Sequence, residues 1–383
     1  MRILQVCSSP SWGGLEMHVS QLAERLRKNG HDVSVVATPN SPLDTALKKM
    51  AFKPEDEELN GYFNPKGVFN LIKLLRKQEV QIIHAHFSKD LWTLVPALHF
   101  VDKVPLVLTK HVGTSKPKKD PLHTWLYRKV DYFIAVSQVI YNNLLETHPI
   151  DKNKIGIIYP GIDLRRFDPN RYKPTQVKME IGWHPKTQIV GIVGRIQIGK
   201  GYLEFLEMAK RISLKLPNVR FLIVGGSSIG ETQEAELILK KIRDNDLNKK
   251  VFNTGFQEEV AKFLSCMDIF VFPSRAESFG LVLTEAMSMK KPVVACKCDG
   301  VLDVVVHNKT GYLIPVQNVD KLENAVLELL GNSNLRIYYG REGRKRVEKL
   351  FDIRIMVSKI EALYRSLSPV TNNSKSGLQL THV

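Results

Sequence analysis

The stretch PSRAESFGLVLTEAMS, residues 273–288, sets Glu277 and Glu285 at either end of an apolar run: Phe279, Leu281, Val282 and Leu283. A helix beginning near Phe279 gives Glu285 the neighbours Leu281, Val282 and Met289 on its own face. A carboxylate there is costly to bury unpaired. It must reach a polar partner or border a space that is filled in use. Two adjacent hydroxyls, such as a ribose offers, suit it; an internal salt bridge to a preceding Lys or Arg is the structural alternative. Glu277 falls in the loop after the strand-like IFVFPS, as a hydroxyl acceptor or as a solvated loop acid. The helix-start amides at Phe279, Gly280 and Leu281 favour a phosphate.

A second set of residues sits in GRIQIGKGY, residues 194–202. Arg195 is a planar fork and Lys200 a point charge, both after a strand-like run and before a helical one, which is what a diphosphate wants. Two solvated loop charges are the alternative. No Ser or Thr follows Lys200 and the glycine spacing is wrong for a Walker loop. After the first apolar run comes SSPSWGGLE, where Gly13 and Gly14 allow close approach of a ligand to the backbone, or simply make a tight turn. It is not a GxGxxG fingerprint, so no nicotinamide cofactor is implied. His84, His86 and His111 end strand-like runs. No carboxylate or Cys stands beside them at ligand spacing, so they read as hydrogen-bonding groups, with His111 directed to a ligand and no metal expected. Asp244-Asn-Asp246 has a metal–diphosphate form but reads as a solvated helix end.

The elements that must position these residues alternate. Strand-like runs at 3–7, 32–38, 80–86, 105–111, 131–137 and 154–160 are separated by helical patterns, among them 66–78, 121–129 and 138–147. The pattern lapses from Tyr159 to about Gly182, where Pro160, Gly161, Pro169 and Pro174 mark a junction. A second series follows, with strands at 188–194, 219–226, 269–274 and 292–296, and helices at 201–215, 231–245, 258–266, 279–290 and 319–331. A last helical series covers 336–367. Strands apolar on both faces and alternating with helices predict α/β architecture: two doubly wound, Rossmann-like domains facing across a cleft. The expected division is 1–165 for the first domain and 183–350 for the second, with a polar, disordered tail at 368–383. In open α/β sheets ligands bind outside the carboxyl ends of the strands, where all the residues above fall.

Composition sets the outer limits. The chain has 383 residues, 43% apolar and 25% charged, with a net charge of +16, which suggests an anionic partner or surface. No nucleic-acid-reading motif is present, so a nucleic-acid partner is not expected. Cys7, Cys266, Cys296 and Cys298 read as small buried hydrophobes, and nothing demands an oxidising compartment. Residues 3–7 are too short for a signal peptide, and no stretch approaches the roughly 20 apolar residues of a membrane helix. The expectation is a cytoplasmic protein able to lie at the inner face of the plasma membrane without crossing it.

Taken together, GGLE (13–16), HAH (84–86), the strand ending in His111, YPGIDLRRF (159–167), GRIQIGKG (194–201) and ESFGLVLTE (277–285) resemble the retaining GT-B glycosyltransferases of family 4, over about residues 1–365. ESFGLVLTE matches the family's E-x7-E signature. The resemblance implies transfer of a sugar from a UDP- or GDP-linked donor to a hydroxyl of a glycan or lipid-linked acceptor, in cell-surface polysaccharide or lipopolysaccharide synthesis. It implies that Gly14 contacts the donor phosphate, that Arg195 and Lys200 hold the diphosphate, and that Glu277 binds donor-sugar hydroxyls. It further implies Glu285 on the ribose, His111 near the reacting carbon, no metal or cofactor, acceptor binding by domain 1–165, donor binding by domain 183–350, and a helix at 351–367 crossing back onto the first domain. A nucleotide-sugar 2-epimerase on the same fold and a non-catalytic sugar-nucleotide-binding protein are the rival readings. For the acceptor, KPKKDPLHTWLYRK (116–129) mixes Lys116, Lys118, Lys119, Arg128 and Lys129 with Trp125 and Tyr127, a composition suited to an anionic membrane surface or to a solvated basic helix.

Overall fold

Short runs of Val, Ile, Leu and Phe with no polar face become two parallel six-stranded sheets in a computed structural model of the chain. The described residues are 1–55, 59, 62, 64–227 and 232–368; the tail expected from residue 369 onward lies outside them. The first sheet contains β1 (Arg2–Cys7), β2 (Asp32–Ala37), β3 (Ile82–Ala85), β4 (Leu106–Lys110), β5 (Tyr132–Ala135) and β6 (Ile155–Ile157), in the order β2-β1-β3-β4-β5-β6. The second contains β7 (Ile189–Val193), β8 (Arg220–Val224), β9 (Val251–Asn253), β10 (Ile269–Phe272), β11 (Val293–Cys296) and β12 (Gly311–Ile314), in the order β12-β11-β10-β7-β8-β9.

Central strands are buried on both faces: β3, β4, β7 and β10 have no exposed position. That is why they read as unbroken apolar runs rather than alternating ones. The edge strands β9 and β12 have three and four residues with partly open positions, and the sequence pattern does not reveal them. Helices cover the sheets. In the second unit Tyr202, Phe205, Met208 and Ile212 of helix Tyr202–Lys215 pack with Ile192, Phe221 and Ile223 of the sheet. The pattern of apolar residues at three- and four-residue spacing on that helix is the reason it docks there.

Both sheets wind outward from a central strand and then reverse. β1 leads to β2 on one side and the chain returns to β3 on the other; β7 leads to β8 and β9, and the chain returns to β10. The gaps β1/β3 and β7/β10 are therefore the switch points, where the loops at the carboxyl ends diverge and leave a crevice in each sheet.

The chain divides at Tyr159, earlier than residue 165, and again at Ile353: the residues from Arg354 belong with the first unit. The shift has a local cause. Ile162 is bonded into the second unit on both sides, its N–H to Phe351 O at 2.8 Å and its carbonyl accepting from Ile353 N at 3.0 Å. The proline-rich lapse after it contains a short helix, Pro174–Glu180, started by proline at its first turn. The expected last helical series is two helices, Ser333–Leu350 and Ile353–Leu367, broken at Phe351 and Asp352. Tyr364 and Glu361 on the second of them are bonded to Gln5 and His84, and to Asn29 and His31, in the first unit.

Candidate active site

In the second unit three loops meet at the carboxyl ends of β7, β10 and β11. The loop after β7 is pressed backbone to backbone against the loop after β10. Gly201 has φ +80°, and a Cβ there would stand 2.1 Å from Pro273 O, so no other residue fits. Arg275 N donates to Gly199 O at 2.9 Å across the same seam. The loop after β11 joins from the other side: Gly300 N donates to Glu277 O at 2.9 Å, and Glu277 N donates to an oxygen of Asp299 at 3.2 Å.

This seam fixes the charged side chains. Lys200 Nζ donates to Glu277 Oε2 at 2.6 Å, both side chains about one-fifth exposed (23% and 18%). The two residues assigned on sequence to diphosphate and sugar are thus an ion pair with one open side. Arg195, on the same loop as Lys200, is exposed.

The helix after Glu277 begins at Leu281, not Phe279, a correction with a clear cause. Gly280 adopts φ +85° and caps the helix with no side chain in place, so the chain turns sharply just before it. The ring of Phe279 is buried edge-on against Phe351 at 5.5 Å, as core. The open end of the helix is therefore the backbone of Leu281 and Val282, while Leu283 N is turned back to Gly280 O at 2.9 Å. Glu285, one turn on, is half-buried and has no hydrogen-bonded or ion-paired partner among the described residues. Burial pushes its carboxyl up to about 7, and the field of Arg166 opposes this only partly. The internal salt bridge weighed on sequence is not formed. Arg166 lies within YPGIDLRRF, quoted for the resemblance but given no role there; its guanidinium donates to Glu258 O.

In the first unit the β1/β3 switch point carries histidines. Helix Gly14–Lys28 starts at the GG turn, with Gly13 extended at φ −170° and no side-chain cap. A Cβ on Gly13 would touch only Glu16 Oε2, at 3.6 Å, so the protein's own packing does not demand glycine there. Ser9 Oγ donates to buried Glu16, and Ser8, through N and Oγ, to buried Asp90; these bonds pin the turn. One turn into the helix, His18 is 7% exposed and its Nε2 has no partner. Its ring lies 4.9 Å from that of His111 and 5.5 Å from that of His86. His111 Nε2 faces His86 Nδ1 at 3.5 Å. Burial holds these imidazoles neutral: His18 falls to about 4, and His84, His86 and His111 lie well below the usual range.

His84, grouped with His86 and His111 on sequence, is otherwise occupied. Gln5 Nε2 donates to Tyr364 Oη at 3.1 Å, and Tyr364 in turn donates to His84 Nδ1 at 2.6 Å. His84 Nε2 then donates to Thr109 Oγ1 at 2.6 Å. His18 is the residue the sequence reading missed. Its signal was there, four positions after Gly14 and one turn into the helix that the GG turn opens. Asp244 and Asp246 are exposed at the end of helix Thr232–Asp244.

Tandem doubly wound domains with cations and helix starts gathered at a switch point define the GT-B class of glycosyltransferases, and comparison with known proteins agrees. Residues 12–166 match the family described as Glycosyltransferase Family 4, and residues 175–346 that described as Glycosyl transferases group 1. The chain belongs to the family 4 type of GT-B glycosyltransferase and is an enzyme of that kind. It is 26% identical over 365 residues to the capsular polysaccharide biosynthesis glycosyltransferase CapM of Staphylococcus aureus, covering 90% of this chain and 92% of that one. It is also 26% identical to the UDP-Gal:alpha-D-GlcNAc-diphosphoundecaprenol alpha-1,3-galactosyltransferase of Escherichia coli, covering 95% and 96%. Among solved structures it is similar to a glycosyltransferase of Rickettsia africae (TM-score 0.86, 21% identity, 97% of this chain and 99% of that one). Anabaena HepE in complex with UDP and glucose is similar as well (TM-score 0.83, 21% identity, 96% and 100%).

Proposed function

We propose that this enzyme transfers a sugar, with retention of configuration, from a nucleotide-diphosphate sugar to a hydroxyl of a glycan or lipid-linked acceptor in cell-surface polysaccharide synthesis. The observation that carries this reading is the open-sided Lys200–Glu277 pair beside an uncapped helix start, with a partnerless Glu285 one turn deeper. Breaking the bond between sugar and diphosphate loads negative charge onto the departing phosphate. Lys200, Arg195 and the amides of Leu281 and Val282 are preorganised to take it up without a metal at the diphosphate. Phe279 and Gly280 shape that helix start from behind. Entry of the donor frees Lys200 for phosphate and Glu277 for sugar hydroxyls, while Glu285 accepts from the ribose. From the first unit, Gly14 serves the phosphate and His111, as a neutral imidazole, serves the donor sugar. The departing phosphate assists removal of the acceptor proton. The complexes of HepE with UDP and the donor named for the E. coli relative favour a UDP-sugar.

For the acceptor, Leu122 and Trp125 project outward at 60% and 41% exposure on a short helix, Pro121–Arg128, between exposed Lys119 and Arg128; Tyr127 is core. That mix supports docking at an anionic lipid surface, where a lipid-linked acceptor resides. No helix among the described residues is long and apolar enough to cross a membrane. Sedimentation with anionic vesicles at low salt is the expected result; no sedimentation removes the membrane part of the reading.

The donor is tested by a thermal-shift panel of UDP- and GDP-sugars, in which the true donor raises Tm in proportion to its occupancy. Turnover should then require an acceptor and release the nucleoside diphosphate. An altered sugar nucleotide formed without acceptor would establish the epimerase reading instead, and binding without turnover the non-catalytic one.

A further inference from the structure

We propose that His18, His86 and His111 form a binding site for a transition-metal dication of the zinc class, held by three imidazole nitrogens with a fourth position left open. The three donors come from separate elements, a helix and the ends of β3 and β4, yet their ligand atoms lie within 4.8 Å of one another. A tetrahedral ion at about 2.1 Å from each nitrogen spaces its ligands about 3.4 Å apart. The His86–His111 pair already stands at 3.5 Å, so only His18 has to close in.

Three further features point to a ligand rather than to incidental packing. The Nε2 of His18 is buried with no hydrogen-bond partner, a cost that an ion would remove. His86 is oriented from behind: Gln5 spends its amide N–H on Tyr364, so its carbonyl oxygen accepts from His86 Nε2 at 2.6 Å. That bond fixes the tautomer with a lone pair on Nδ1, toward His111, in the manner of the outer-shell partners that hold metal-bound histidines. Finally, the cluster lies near the surface: His111 is only partly buried, and Val112 and Gly113 next to it are exposed. His111 Nε2 becomes a ligand by moving its own proton to Nδ1, so binding needs no net proton release. Borderline ions suit an all-imidazole set, whereas Mg²⁺ and Ca²⁺ prefer oxygen.

The binding itself does not depend on the proposed function. One consequence does: if His111 serves the donor sugar, an ion on it lowers turnover.

The test is calorimetric titration of the metal-free, tag-free full chain with Zn²⁺ alone, together with visible absorption on adding Co²⁺. Wild type should bind one equivalent tightly and show the absorption of imidazole-bound tetrahedral Co²⁺. His111→Ala and His18→Gln should lose the tight phase, and Gln5→Leu should weaken it by about 10–100-fold. Exposed His184, in the second unit, serves as the control; His184→Ala should bind like wild type. Circular dichroism melts confirm that each variant is folded; if His18→Gln is not, the partly exposed His111 still decides the matter. Absence of a tight phase in wild type, or its persistence in His111→Ala, overturns the site. Tight binding without loss of turnover would retain the site and count against the role of His111.

Discussion

The two switch points of this chain are built on the same plan and filled with opposite chemistry. At β7/β10 the loops carry charges, Lys200 against Glu277 and Arg195 exposed, with the partnerless carboxyl of Glu285 on the helix that follows. At β1/β3 the helix after β1 and the ends of β3 and β4 carry imidazoles that burial keeps uncharged, that of His86 held from one side by Gln5. A sheet geometry thus fixes where ligands bind and leaves the residues after the strands to decide what binds. The charged crevice suits a departing anion. The neutral one suits an uncharged sugar, and its imidazole lone pairs offer a metal ion coordination to offset its lost hydration.

The contrast is broken most severely at Lys200. Lys200→Ala should lower kcat/KM by roughly 10²–10³, the cost of one preorganised charge-stabilising donor. Near-normal turnover would mean that the ion pair is structural. Glu285→Gln comes next. Replacing the proposed acceptor of ribose hydroxyls should weaken nucleotide binding at pH 8, where the carboxylate is ionised, by roughly 10–100-fold, the worth of a charge-assisted hydrogen bond of about 1.5–3 kcal/mol.

The same substitution sharpens the comparison through stability. The carboxyl of Glu285 titrates at about 7 in the native state, above its ordinary 4.5. The native state therefore holds that proton more firmly than the unfolded chain. Its stabilising effect is full below about 4.5 and disappears as pH rises through about 7. Glu285→Gln and wild type should melt alike at pH 4.5, and the variant should melt higher at pH 8. Equal melting at both values would show that Glu285 is solvated. A carboxyl whose burial costs the fold, placed beside the carboxyl ends of the strands, points to a functional position.

A smaller effect is expected at the helix start. Gly280→Ala places a side chain at φ +85° and its Cβ 2.8 Å from Leu283 Cδ1, costing about 1 kcal/mol, and it should lower Tm by a few degrees. Unchanged Tm would show that the turn relaxes freely.

How far the sequence disclosed these two regions differs for a physical reason. The charged crevice is drawn from contiguous loops, so Lys200, Glu277 and Glu285 stand out as polar residues interrupting apolar runs. The start of the helix is not legible because the burial of Phe279 depends on Phe351, which is remote in the chain, and the left-handed turn at Gly280 interrupts the helix only locally. The neutral crevice was only half legible. His86 and His111 end strands and could be noticed. His18 sits inside a helix that reads as an ordinary amphipathic one, and only the register of β1 beside β3 brings it to them. Arg166 was likewise hidden in a junction with no periodicity. The parallel order of the sheets followed from both-face-apolar strands, whereas β9 and β12 were too short and too open to leave a pattern.

The charged switch point, not the neutral one, is proposed to take up the diphosphate. This is tested most directly by calorimetric titration of UDP and GDP onto wild type, Lys200→Ala and His18→Gln. One of the two nucleotides should bind wild type at one equivalent, bind His18→Gln comparably, and bind Lys200→Ala much more weakly. Binding that survives Lys200→Ala but vanishes in His18→Gln would contradict it.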